Sequence, residues 1–192
     1  MKLEEKLIGE RIVLEQPKAT FEQAKETFAL VDLSREELRP WLVWCDKTKV
    51  PEDSFGFLKD WCVANREKEE GFAYLIREKE TGVFCGTVDI FNLSKDHKSG
   101  EIGYWLGTPY VGKGYMQEAV KVLEKEAFAK GLNRIVIHND VENVRSANVA
   151  ERAGYHLDGV MRQQKWSDYK NSFVDINVWS KLKDEFESEF QK

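Results

Sequence analysis

The stretch of this chain with the most chemical content is Val111-Gly112-Lys113-Gly114-Tyr115-Met116. Two glycines one residue apart let the backbone take positive φ and approach a ligand closely. The sequence that follows carries Met116, Ala119, Val120, Leu123 and Ala127 at helical spacing, so the turn opens onto an amphipathic helix. A helix N-terminus offers unpaired N–H groups and the positive end of a dipole. Together these features make an anion site, most naturally for a pyrophosphate, and Lys113 adds positive charge. The bland alternative is a tight strand-to-helix turn that binds nothing. Two familiar phosphate loops are excluded. A nucleotide P-loop needs Ser or Thr after its Gly-Lys, where this chain has Gly114; the dinucleotide fingerprint closes on glycine, where this chain has Gln117.

Two side chains nearby in the element order could accept protons. Glu101 opens the strand before the turn, and alternation puts it on the face of Gly103 and Trp105. His138 ends the next strand, and an imidazole ordinarily titrates near neutral pH, which suits a proton acceptor. Ser146 opens a short helix, where serine is equally at home as a cap or first-turn residue. Glu101 also reads as an exposed strand-end charge, and His138 as a ring satisfied by backbone. Cys45, Cys62 and Cys85 are too few and too scattered for a disulfide framework or a zinc site. They read as buried thiols of a reducing cytoplasm, and no metal is expected.

The elements that must position these groups follow from periodicity. Residues 11–15 alternate as a strand, and Thr20 with Gln23 has capping-box spacing before a helix at about 21–30. Residues 38–45, LRPWLVWC, are broken by Pro40 and read as a loop or short helix. A helix starts at Pro51 and stops at Gly71. Strands are expected at 72–77, 83–92, 101–106, 134–138, 155–162 and 172–180, with helices at about 115–130 and 146–153. This order predicts an α/β protein with a mixed sheet, and a right-handed βαβ crossover from 101 to 138 makes its two strands parallel.

The chain has 192 residues, 42% of them hydrophobic and 33% charged, which reads as one globular domain spanning 1–192. Lys and Arg total 29 against 34 Asp and Glu, a net charge of -5, which argues against a nucleic-acid partner. The first residues, MKLEEKLIGER, lack a signal-peptide core, and no run approaches the ~20 apolar residues of a membrane span. A cytoplasmic protein with no membrane partner is expected. Nothing in the sequence marks an interface, and both a monomer and a homodimer are compatible with it.

Three segments carry a family resemblance. EIGYWLGTPYVGKGYMQEA (101–119) resembles the acetyl-CoA motif of the GNAT superfamily of N-acetyltransferases, Q/R-x-x-G-x-G/A at a strand-to-helix turn. NVRSANVAERAGYHLDG (143–159) is similar to the N-x-x-S-x-x-V-x-E-K/R-x-G-F/Y pattern of the RimJ/RimL branch, which acetylates ribosomal-protein N-termini. LRPWLVW (38–44) resembles the L-R-P-W-L-x-W segment of the same branch. The matches are in order and cover most of the chain. Two positions depart from the pattern: Val111 stands where the family has Gln or Arg, and Met116 where it usually has Gly or Ala. Binding through backbone N–H groups is expected to survive both, with Met116 the side chain expected to crowd the pyrophosphate.

The resemblance implies a GNAT fold: one mixed, twisted, seven-stranded sheet splayed between its fourth and fifth strands, with about four helices on its faces. It implies acetyl-CoA as cosubstrate. The expected contacts are the backbone of Trp105 and Leu106 to the pantetheine arm, an oxyanion N–H near Leu106, the turn 111–116, and Asn143 and Ser146. It makes Ser146 the expected acid for the departing thiolate, since relatives that use Tyr place it where this chain has Ala150. It also puts His138 where some relatives carry a catalytic Glu, and Lys165 where some carry an acidic residue.

The implied reaction is acetyl transfer to a primary amine, foremost a protein N-terminal α-amino group. Neutralising an α-amine of pKa about 7.7–8.0 at pH 7 costs about 1–1.4 kcal/mol, against about 4.6 kcal/mol for lysine. An N-terminal acetyltransferase therefore needs only a modest base, and Glu101 and His138 both remain candidates. Trp41, Trp44, Tyr104 and Trp166 are expected to line the acceptor pocket, and Asp46, Glu52 and Asp53 to attract a cationic acceptor. A small-molecule amine (a polyamine, an amino acid or an antibiotic) is the nearest alternative acceptor. A non-catalytic acyl-CoA-binding protein is the alternative of a different class.

Overall fold

A computed structural model describes residues 1–189. Its strands are β1 (Lys6–Ile8), β2 (Ile12–Glu15), β3 (Phe72–Glu78), β4 (Phe84–Ser94), β5 (Ser99–Leu106), β6 (Arg134–Asp140), β7 (His156–Ser167) and β8 (Ser172–Leu182). They form one sheet in the order β1-β2-β3-β4-β5-β6-β8-β7. Only β5 and β6 pair in parallel; every other pair is antiparallel. The sheet thus has eight strands where seven are expected from sequence. The additional strand is β1, three residues that return on β2 through a turn closed by Gly9 N donating to Ile12 O at 2.9 Å. Three residues are too few for alternation to mark a strand.

The parallel pair carries the architecture of the site. β5 and β6 are in register only at Ser99↔Arg134, Gly100↔Ile135 and Glu101↔Val136. Beyond Glu101 the strands run on to Leu106 and Asp140 without pairing. The sheet is therefore splayed where the fourth and fifth of the seven expected strands meet.

Helices cover both faces. On one lie α5 (Tyr115–Ala129) and α6 (Val144–Arg152). Met116, Ala119, Val120, Leu123 and Ala127 of α5 are buried against a sheet surface that includes Ile90, Ile102, Ile135 and Ile137. Each large apolar side chain so buried contributes roughly 1.5–3 kcal/mol. On the other face lie α1 (Phe21–Leu33), α2 (Arg35–Leu38), and α3 (Pro51–Gly56), which passes through a π-helical stretch, Phe57–Val63, into α4 (Ala64–Lys68). Their core includes Leu30, Leu38, Leu58, Leu75, Phe84 and Trp105. α1 starts on the Thr20/Gln23 capping box. Cys45, Cys62 and Cys85 are free and buried.

The segment after α2 folds back through turn hydrogen bonds such as Leu42 N to Leu38 O at 3.0 Å, and one side chain ties its far end. Arg35 donates to the carbonyl oxygen of Cys45, and to that of Thr48 at 2.7 Å, closing the aromatic-rich loop around Pro40 over the sheet. A short α7 (Lys183–Ser188) follows β8. The sequence leads to four helices; α2 and α7 are additional, each too short for a periodic pattern to declare it. A buried cation, Lys181 of β8, joins the far end of the molecule: its Nζ lies 2.9 Å from Glu124 of α5 and 2.7 Å from Glu189, and donates to Ala153 O at 2.8 Å.

Candidate active site

The glycine turn has the geometry an anion needs. Gly112 and Gly114 take φ of 82° and 78°, in the region that favours glycine. Gly114 is the N-cap of α5 and, having no side chain, leaves the helix's first N–H groups uncapped. Arg11 holds the turn from β2's side: it donates to Lys113 O at 2.8 Å, ion-pairs Glu118 at 3.0 Å and lies 5.6 Å over the Tyr115 ring. Met116 is 5% exposed and packs with the core at the start of the helix. Tyr115 is likewise buried and donates to Glu78. Lys113 is exposed, its ammonium 5.3 Å over the Tyr110 ring.

A groove of about 350 Å³ leads from this turn into the splay. Trp105, Leu106, Val111, Gly112, Gly114, Met116, Asn143 and Ser146 border it; Lys113 and Tyr115 do not. The Trp105 indole is buried on the other face against Trp44 and Phe84, with ring centroids 5.8 and 5.9 Å away. What Trp105 offers the groove is therefore backbone, on the strand edge that lost its partner beyond Glu101.

A second cavity of about 690 Å³ opens on the opposite side of the splay. Glu101 and His138 line it together, because the register sets Glu101 opposite Val136, two residues before His138, with His138 Nδ1 3.0 Å from Glu101 Oε1. Asn92 Nδ2 donates to the other carboxylate oxygen at 3.0 Å. The two cavities share Trp41, Leu42, Tyr104, Asn143 and Ser146, and so meet where the strands part.

At that junction Asn143 caps α6, accepting from Ser146 N at 3.1 Å. Ser146 Oγ lies 3.0 Å from the Tyr104 hydroxyl, which also reaches Ser146 O at 3.1 Å. Burial pushes the Tyr104 phenol up to about 12, partly offset by its bond to Ser146, so it keeps its proton at neutral pH. Asp89, across from Gly103 on β4, is raised to about 8, first by burial and then by the nearby charge of Glu101.

The structure gathers Glu101, His138 and Ser146 on one cavity. Sequence reasoning missed the two side chains that tie them down. Tyr104 reads in sequence only as one more aromatic near the cleft, and Asn92 carries no signal at all. Among the expected pocket aromatics, Trp41 lines both cavities, while Trp44 packs beneath Trp105. Trp166 is 45% exposed and stacks edge-on with Phe173 outside either cavity. Of the expected acids, Asp46 lines the larger cavity but pairs with Arg39 at 3.3 Å. Asp53 instead caps α3, accepting from Lys49 N and Val50 N. Lys165 also lines the larger cavity. Among the described residues no His, Cys, Asp and Glu side chains converge as a metal-ligand set, and no helix is long and apolar enough to cross a membrane.

Comparison with known proteins agrees with this geometry. A Bacillus subtilis (strain 168) protein, YdaF, whose name provisionally makes it a ribosomal N-acetyltransferase, is 34% identical over 109 residues, covering 56% of this chain and 58% of its own. The ribosomal-protein-serine acetyltransferase of Escherichia coli (strain K12) is 27% identical over 117 residues, covering 60% and 64%. The chain thus spans less than two thirds of the length of either relative. The microcin C7 self-immunity acetyltransferase MccE, solved with acetyl-CoA and AMP, superposes with a TM-score of 0.83 at 26% identity, covering 90% of this chain and 93% of that one. The Acetyltransferase (GNAT) domain family profile matches residues 11–156, well over half of the sequence, and the chain belongs to that family.

Proposed function

We propose that this protein transfers the acetyl group of acetyl-CoA to a primary amine, and that the amine is the α-amino group of a protein N-terminus. The observation that carries this reading is the meeting of two cavities at Tyr104 and Ser146, one leading to the glycine turn and the other holding Glu101 and His138. Acetyl-CoA fits the first: positive-φ glycines and an uncapped helix N-terminus suit its pyrophosphate, and the open edge of β5 suits its amide-bearing arm. The names of the two curated relatives, and the acetyl-CoA bound to MccE, support the same assignment.

In this reading a backbone N–H near Leu106 steadies the oxygen of the attacked thioester. The Glu101–His138 pair takes the proton that the amine gives up as its nitrogen bonds to the carbonyl carbon. Ser146 protonates the thiolate as the C–S bond breaks. An α-amine needs little help to lose its proton, which suits an imidazole–carboxylate pair. The test is thiol release from acetyl-CoA across a panel of N-terminal peptides and small amines. Turnover with free α-amine peptides supports the proposal. Turnover with small amines alone moves the acceptor to that class, and the absence of thiol release with any amine, despite acetyl-CoA binding, refutes transferase activity.

A further inference from the structure

The contacts of Glu101 decide which of its two neighbours can accept a proton. A carboxylate only accepts hydrogen bonds, so both groups facing it must donate. Asn92 turns its amide nitrogen to Oε2 at 3.0 Å, and the group 3.0 Å from Oε1 is His138 Nδ1. A proton on Nδ1 lies within reach of Glu101, and in a neutral ring protonated there Nε2 keeps a free lone pair. The ring lines the larger cavity, and the His138 side chain is 32% exposed there. Glu101 in contrast has both oxygens occupied.

Asn92 reaches this position by a local distortion. It takes φ of 51°, and the β4–β5 register shifts between Phe91 and Ser94. A bulge of this kind re-aims a side chain at a strand's edge, and asparagine tolerates the left-handed conformation better than most residues. Here the bulged residue points its amide at a carboxylate on the neighbouring strand.

We infer that His138 Nε2 is the proton acceptor of the reaction, and that Glu101 and Asn92 are positioning residues that fix its tautomer and ring orientation; this rests on the acetyl-transfer reading above. As the acceptor nitrogen bonds to the thioester carbon, its N–H bond breaks, the electron pair stays on nitrogen and the proton goes to Nε2. The imidazolium so formed faces the Glu101 carboxylate through Nδ1–H. The division of labour is the one Asp and His have in a serine-protease triad, where the acid orients the imidazole but does not itself take the proton. It is reached here with Glu and Asn on two strands of a splayed sheet.

The experiment reads the tautomer directly, by nitrogen-15 ring correlation of His138 in the full chain at a pH where the ring is neutral. The expected result is a proton on Nδ1. Glu101→Gln should move the population toward Nε2–H, because a glutamine oxygen turned to Asn92 leaves its NH2 facing Nδ1. The same variant should lose about 100-fold or more in kcat with little change in the KM for acetyl-CoA. Asn92→Gly, which keeps the positive φ and deletes the amide, should lose about tenfold in kcat with the same KM pattern. An Nε2–H tautomer in the wild-type chain overturns the inference, as does a Glu101→Gln chain whose kcat stays within about twofold. Wild-type chain that transfers no acetyl group refutes the parent reading instead, and the tautomer spectrum still tells whether Glu101 orients His138.

Discussion

The Tyr104 hydroxyl lies 3.0 Å from Ser146 Oγ, joining β5 to the first turn of α6 across the mouth of the splay. Tyr104 is protonated at neutral pH, and among the described residues Ser146 is the one other hydroxyl that lines both cavities. Ser146→Ala should therefore lower kcat by about 100-fold, the low end of what a positioned proton donor contributes. Tyr104→Phe should lower it by about tenfold, by freeing the Ser146 rotor. The dissociation constant for acetyl-CoA, measured by calorimetry, should stay within about twofold in both. An unchanged kcat in Ser146→Ala removes Ser146 from the acid role.

Arg11 should matter to cosubstrate binding without touching the chemistry. It fastens Lys113 O and Glu118 and covers Tyr115, so it fixes the turn in its anion-binding form. Arg11→Ala should weaken acetyl-CoA binding about tenfold, or about 1.4 kcal/mol, with kcat little changed. Gly114→Ala should act in the same direction. At φ of 78° a side chain costs about 1–2 kcal/mol, and the new methyl would meet the Arg11 guanidinium at 3.1 Å. Wild-type affinity in both would show that the turn is not the anion site.

How much of this could be read from the residues differs by element. The turn and α5 are legible because glycine spacing and a 3.6-residue apolar period each have one structural meaning. That Glu101 and His138 share a face depends on register, Glu101 standing opposite Val136, and the sequence does not give it. Their 3.0 Å contact depends on it too. The splay comes from the family resemblance alone; no local property of residues 102–106 announces that pairing stops. Asn92 is out of reach because its role depends on a bulge, and a bulge is a relation between two strands. Trp166 misleads because an aromatic on an exposed hairpin has the same sequence appearance as one lining a pocket.

The buried Lys181–Glu124 pair makes a stability prediction. Lys181 and Glu124 are 0% and 1% exposed at their side chains. Removing one partner of such a pair strands the other charge and costs about 3–5 kcal/mol. Lys181→Met should lose about that much in urea unfolding. The double variant with Glu124→Leu should recover part of it, since apolar residues then replace the buried pair and only Glu189, 41% exposed, is left without its cation. A single variant as stable as wild type would contradict this.

Asp89 gives the pH dependence. Its folded pKa is raised to about 8 from an ordinary 3.8, so the folded state holds this proton more tightly than the unfolded chain does. The stability it confers is full below about pH 4 and is lost as pH rises toward about 8. Asp89→Asn, which cannot ionise, should gain on wild type across that window by about 1–2 kcal/mol, discounted for part exposure. Chemical denaturation at the two ends of the window measures it; parallel curves for the two chains would show that Asp89 ionises freely.

The central claim is acetylation of a protein α-amine, and one measurement meets it directly. A peptide with a free N-terminal serine and an internal lysine is incubated with acetyl-CoA and this protein, and the acetylated position is located by fragment mass spectrometry. The same peptide with its α-amine blocked serves as control. The expected result is acetyl on the α-nitrogen, one thiol released per acetyl group, and no product from the blocked peptide. Acetyl on lysine, or none on any peptide while acetyl-CoA binds, would contradict it.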